Sequence, residues 1–116
     1  MHGTKPRRGN PEYIIQQAII VMLKQKGWHI EVMHASALME GIPDLFVGHP
    51  DYGMRWIEVK NLKAYHFTVA QRRNFPIWNS HGIGIWILVS ASKLEYMKLF
   101  KKPNWTIYLN PKMARA

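Results

Sequence analysis

The sequence predicts an α/β fold, a mixed central β-sheet flanked by helices in the order α-β-β-β-α-β-α-β, and three observations predict it. An apolar stripe at helical spacing opens the chain, two strand-like runs joined by a turn occupy its middle, and a wholly apolar run stands between two helix-capping signals. Asn10 suits an N-cap, Pro11 the first helical position and Glu12 the first turn. Ile14, Ile15, Ala18, Ile19, Met22 and Leu23 follow on one helical period, and Gly27 is a stop, which gives a helix over 11–26.

"WHIEVMH" (28–34) alternates Trp28, Ile30 and Val32 against His29, Glu31 and Met33, the pattern of a half-buried strand. "DLFVG" (44–48) and "RWIEVKN" (55–61) read as two further strands, with Pro50, Asp51 and Gly53 between them as turn residues. Thr68 and Gln71 have capping-box spacing and open a helix to about residue 80, which Pro76 is expected to kink or interrupt. "IGIWILV" (83–89) has no polar alternation and predicts a strand buried on both faces. Ser92 and Glu95 form another capping-box pair and open a helix to about Lys102, and "WTIYL" (105–109) reads as a last, edge strand.

The 116 residues fit one domain, 1–116, with a basic arm over 1–9 and a folded core over 10–110. Hydrophobic residues make up 47% and charged residues 20%, a globular balance. The chain has no cysteine, which removes disulfides and thiolate metal sites and fits a reducing compartment. The apolar runs fall well short of the ~20 residues of a membrane span, and no secretory pattern opens the chain. The expectation is a cytoplasmic protein without a membrane segment. Lys and Arg number 16 against 7 Asp and Glu, a net charge of +9. That excess points to a polyanionic partner, nucleic acid foremost, with a merely solvated basic surface as the plainer explanation.

With so few acids their places carry information. Asp44 stands at the start of one strand, and Glu58 and Lys60 lie in the next, on the face shared by Trp56 and opposite to Ile57 and Val59. Pairing about an Asp51–Tyr52 turn sets Asp44 across from residues near Val59, so two carboxylates and an amine converge at one end of the sheet. That set suits a hard divalent cation held by Asp44, Glu58 and the Val59 carbonyl, with Lys60 beside a phosphoryl group. Two plainer readings stand next to it: a buried acid–lysine pair that neutralises itself, or exposed charges on an edge strand.

Pro43-Asp44, thirteen intervening residues and Glu58-Val59-Lys60 together resemble the PD-(D/E)XK nuclease superfamily, whose restriction-endonuclease-like core has the predicted order of elements. The chain looks most like a stand-alone VRR-NUC (virus-type replication-repair nuclease) domain, common in phages. "NPEYIIQQAIIVMLKQKGWHI", the Gly-x-Pro-Asp strand from Gly41 to Asp44, Glu-Val-Lys and the Gln71 of "TVAQRRNF" carry the likeness over residues 10–90. The resemblance implies Asp44, Glu58 and the Val59 carbonyl as Mg²⁺ or Mn²⁺ ligands and Lys60 as the catalytic amine. It further implies Glu12 as an additional acid near the metal and Gln71 as an accessory site residue. Each of these last two also suits its helix start on local grounds alone. Glu40 before the Pro-Asp strand and Pro76 after Gln71 depart from the family's usual pattern.

Arg7, Arg8, Lys63, Arg72 and Arg73 are candidate phosphate contacts, and His34, next to the Pro-Asp loop, is another. The other histidines lack zinc-ligand spacing, and the five tryptophans read as core. Tyr65 and Phe67 are better placed for stacking or a dimer contact. The resulting expectation is a divalent-metal-dependent DNA endonuclease, phage-encoded and in the host cytoplasm, acting on branched, flap or four-way junction DNA as a homodimer, with no small-molecule cofactor. The alternatives are a non-catalytic DNA-binding module of the same fold and a restriction-like, sequence-specific nuclease.

Overall fold

The computed structural model describes residues 10–34 and 40–109; the basic arm, with Arg7 and Arg8, lies outside the described residues. Helix α1 (Pro11–Gln25) begins as its sequence predicts, with the Asn10 side chain accepting from the Glu12 N–H and Pro11 at the helix start. Strands β1 (His29–Val32), β2 (Leu45–His49), β3 (Gly53–Val59) and β4 (Ile85–Leu88) form a single sheet in the order β1-β2-β3-β4. The first two pairings are antiparallel and β3 with β4 is parallel. A parallel neighbour needs a crossover, and α2 (Val69–Ser80) supplies it. The sheet is therefore mixed, and the α/β expectation holds.

Two apolar layers flank it. On one face Ile19, Ile20 and Leu23 of α1 pack on Trp28, Leu45, Val47, Ile57, Val59 and Leu88. On the other, Phe67, Phe75 of α2, Trp105 and Tyr108 pack on Ile85 and Ile87. β4 thus feeds both layers, which is why its sequence shows no polar alternation.

Four expectations need correction. Pro76 does not interrupt α2. The helix runs on through it to Ser80, and both Pro76 and Arg72, four residues before it, are exposed. The hairpin turns through Pro50–Tyr52 and pairs His49 with Gly53, one residue away from the expected register. Tyr52 N–H bonds to the His49 carbonyl and Gly53 takes φ +87°, a turn followed by a left-handed glycine. The helix after Ser92 is short, α3 (Lys93–Met97), and passes into a 3-10 turn over Lys98–Phe100. Its capping box is half made: Ser92 accepts from the Glu95 N–H, but the Glu95 carboxylate turns to the Val89 N–H at 2.9 Å and to Lys98.

The fourth correction is the end of the fold. Residues 105–109 form a helix, α4 (Trp105–Leu109), where a fifth strand was expected. The Asn104 side chain takes the strand's place: its amide oxygen accepts from Ile87 N–H at 2.6 Å and its amide nitrogen donates to the Ile87 carbonyl at 3.1 Å. With both backbone groups of Ile87 satisfied by one side chain, the chain beyond is free to fold back as a helix over the Phe67–Phe75 layer.

Candidate active site

The one-residue change of register decides the geometry of the site. Leu45 pairs with Ile57 and Phe46 with Trp56, so the next step along the ladder brings Asp44 opposite Glu58. Leu45 and Ile57 enter the α1 layer, and the alternation puts Asp44 and Glu58 on the α2 side, beyond the tilted ring pair of Phe46 and Trp56, whose centres are 4.5 Å apart. Each acid is fixed by the other strand's backbone. The Asp44 carboxylate accepts from Val59 N–H at 2.8 Å, and the Glu58 carboxylate accepts from Asp44 N–H at 3.2 Å.

Lys60 and Gln71 complete the cluster. Asp44, Glu58, Lys60 and Gln71 are 4%, 3%, 4% and 7% exposed, so all four are removed from water. Lys60 Nζ lies 3.1 Å from Glu58 Oε2, donates to the His66 carbonyl at 2.8 Å and to Gln71 Oε1 at 3.1 Å. It also lies 4.6 Å from the centre of the Phe67 ring, which helps hold an ammonium away from water. Gln71 Nε2 donates to Glu58 Oε2 at 2.9 Å.

Gln71 makes the capping box that its spacing predicts and further contacts besides. The capping box is complete, with Gln71 N–H bonded to Thr68 Oγ1 at 3.1 Å and Thr68 N–H to Gln71 Oε1 at 3.0 Å. The same side chain bridges Glu58 and Lys60. The start of α2 is thereby coupled to the charge cluster, and neither is set without the other.

Glu12 sits half-buried in the first turn of α1, and among the described residues no three His, Asp or Glu side chains gather into a ligand group. The donors that the structure brings together are two carboxylates at the end of a sheet. Such a set fits a hard cation that keeps several of its waters, since Mg²⁺ takes one or two carboxylates and completes its shell otherwise. His34, Lys63, Arg72 and Arg73 are all exposed, and Tyr65 is half-buried. Phe67 is core and not a contact surface.

Three polar groups escaped the sequence reading, of which only the first touches the cluster. The His66 carbonyl reaches Lys60 through a loop whose path no periodicity announces. Asn104 acts as a strand surrogate. Gln16, one helical turn after Glu12, is 3% exposed, and its Oε1 has no hydrogen-bond partner. A glutamine on the stripe of Ile15, Ile19 and Leu23 was the available signal, because buried amides are seldom left unsatisfied.

Neither a family model nor a curated protein matches the chain. Among solved structures it is similar to a VRR_NUC domain, with a TM-score of 0.63 and 18% identity over 75% of this chain and 92% of the other. What the two share at that identity is the fold, and the chain accordingly carries a VRR-NUC-like fold.

Proposed function

We propose that the chain is a divalent-metal-dependent nuclease that hydrolyses DNA phosphodiester bonds, with a preference for branched, flap or four-way junction DNA. The observation that carries this reading is the buried Asp44–Glu58–Lys60–Gln71 cluster at the open end of β2 and β3, in a chain of net charge +9. The name of the similar structure and the resemblance of the Pro43-Asp44 and Glu58-Val59-Lys60 motifs point the same way.

Asp44 and Glu58, with the Val59 carbonyl, are the groups that would hold Mg²⁺ or Mn²⁺, and Glu12 is the acid proposed to approach them. A bound divalent cation supplies Lewis acidity toward the phosphoryl oxygen and eases deprotonation of the attacking water. Lys60 holds a positive charge beside the scissile phosphate, where negative charge develops, and its burial makes that charge effective. Gln71 orients Glu58 and Lys60 against each other. His34, Lys63, Arg72, Arg73 and, in the arm, Arg7 and Arg8 are proposed to grip the backbone, and a homodimer would present two such sites to a branched substrate.

The Glu58–Lys60 ion pair favours a second reading, a DNA-binding module in which the charges neutralise one another. The two readings part in one experiment. Purified protein is incubated with duplex, nicked, flap and four-way DNA, in Mg²⁺ and in chelator. The nuclease reading expects cleavage that needs metal and is strongest on a branched substrate. Binding of all four without cleavage in Mg²⁺ or Mn²⁺ supports the module instead.

A further inference from the structure

Outside the acidic cluster, the described residues gather three lysines, Lys98, Lys101 and Lys102, at the β4 edge of the sheet. A pocket of about 520 Å³ opens there, lined by Lys98, Lys101, Lys102, Asn104, Ile107 and Tyr108. That is within the size range of small-ligand sites. One of the three lysines is already matched: Lys98 bonds to Glu95 at 2.5 Å and donates to the Tyr108 hydroxyl at 2.7 Å. Lys101 and Lys102 are exposed, and neither ammonium engages a carboxylate among the described residues. The Tyr108 hydroxyl accepts from Lys98, which leaves its own proton to donate to a ligand. Such a pocket asks for an anion with an apolar part to rest on Ile107 and the tyrosine ring.

The pocket is tied to the acidic cluster by register and by a hydrogen bond. Glu58 pairs with Ile87, and Ile87 is held on its far side by Asn104, which lines the pocket. One interstrand step of ~4.8 Å and one hydrogen bond put the pocket wall on the order of 10 Å from the Glu58 backbone. Separately, Tyr65, beside the His66 carbonyl that receives Lys60, donates its hydroxyl to the Tyr108 carbonyl at 2.8 Å. Successive phosphates of one strand lie farther apart than their ~3.4 Å axial rise, so that separation is no more than about three nucleotides.

We infer that the Lys98–Lys102 pocket binds a backbone phosphate of the nucleic-acid strand, a few nucleotides from the Asp44–Glu58 cluster. This rests on the nucleic-acid part of the proposed function and not on catalysis, so it is tested without metal. Binding of DNA carrying a flap, which fixes the register, is measured for the wild type, Lys101→Glu/Lys102→Glu, and Lys24→Glu/Lys93→Glu. The last pair makes the same charge change away from the pocket.

The pocket pair is expected to weaken binding at least about fivefold more than the control pair and to flatten the salt dependence by about 0.9 for each phosphate no longer neutralised. A single neutral methylphosphonate walked along the strand should weaken the wild type at one position and leave the pocket variant indifferent there. Equal losses in the two double variants overturn the assignment. So does a pocket that binds inorganic phosphate while the walk shows no sensitive position, because that is a free-anion site. Specific losses in a protein that cuts no DNA would sustain the pocket and sink the nuclease reading, which keeps the two failures apart.

Discussion

Lys60 places an ammonium where water scarcely reaches, beside a carboxylate equally buried, and that arrangement sets what its removal does. Breaking a buried ion pair by deleting one partner leaves the other charge uncompensated, at about 3–5 kcal/mol. Lys60→Met is therefore expected to lose about that much in a urea titration run in chelator. Adding Mn²⁺ should raise the stability of the variant more than that of the wild type, since Glu58 no longer has Lys60 as a competitor. A variant as stable as the wild type, and indifferent to Mn²⁺, would show that Glu58 is compensated some other way. At this scale much was legible. The period of two along β3 put Glu58 and Lys60 on one face, and the capping-box spacing found Thr68 with Gln71. What spacing could not give was that Gln71 does both jobs at once, because that depends on α2 docking against β3.

Between elements, two contacts decide how the site is framed. Gly41 has φ +81°, and a Cβ there would lie 2.5 Å from Asn74 Nδ2 and 2.9 Å from the Ala70 carbonyl oxygen. The turn before Asp44 thus rests directly on the backbone of α2, where only glycine fits. Gly41→Ala adds left-handed strain and a backbone clash, and it is expected to cost more than about 2 kcal/mol in thermal or chemical unfolding. A neutral effect would mean that the Asp44 turn and α2 are not in contact. Asn104→Ala strips the partner from both the N–H and the carbonyl of Ile87, for about 1–3 kcal/mol, and amide exchange at Ile87 should quicken relative to Ile57. Unchanged exchange at Ile87 would contradict the surrogate-strand role.

These elements also show where sequence reasoning gave way. "WTIYL" has the composition of a strand, but strand propensity describes fit to a pleated, half-buried surface. Asn104 occupies that surface first, so the same residues bury Trp105 and Tyr108 as a helix. Pro76 was expected to kink or interrupt α2, but the helix runs on from Val69 to Ser80 with the proline on its exposed side. The hairpin register moved by one because Gly53, read only as a turn residue, adopts the left-handed conformation that closes a three-residue loop. In each case the local signal was real, and a neighbour that spacing does not name set the outcome.

For the whole molecule, charge is the governing quantity. A surplus of nine positive charges repels itself, and the protein retains few acids to offset it. Three of the acids, Asp44, Glu58 and Glu95, are buried, and Glu95 is accounted for by Lys98 and Val89. Burial works to lower the Lys98 pKa, but the hydrogen bonds and charge of Glu95, with Tyr108, outweigh it and hold the group above its ordinary 10.5. The folded chain thus binds that proton more tightly than the unfolded chain. The stabilisation is complete below 10.5 and is lost as pH rises through the higher folded value. Stability measured between about pH 9 and 12 should fall less steeply in Lys98→Met than in the wild type. Equal slopes would show that Lys98 titrates as it does in the unfolded chain.

The nuclease reading meets its most direct test in the cleavage rate of Lys60→Met under single-turnover conditions, with Mg²⁺ and a substrate that the wild type cuts. Folding of the variant is verified by circular dichroism and its DNA affinity by titration. General acid–base groups contribute about 10²–10⁴-fold and charge-stabilising donors about 10²–10³-fold, so a loss of at least about 10²-fold is expected at matched affinity. A folded variant that binds DNA and cuts it as fast as the wild type would contradict the assignment of this buried cluster as the catalytic centre.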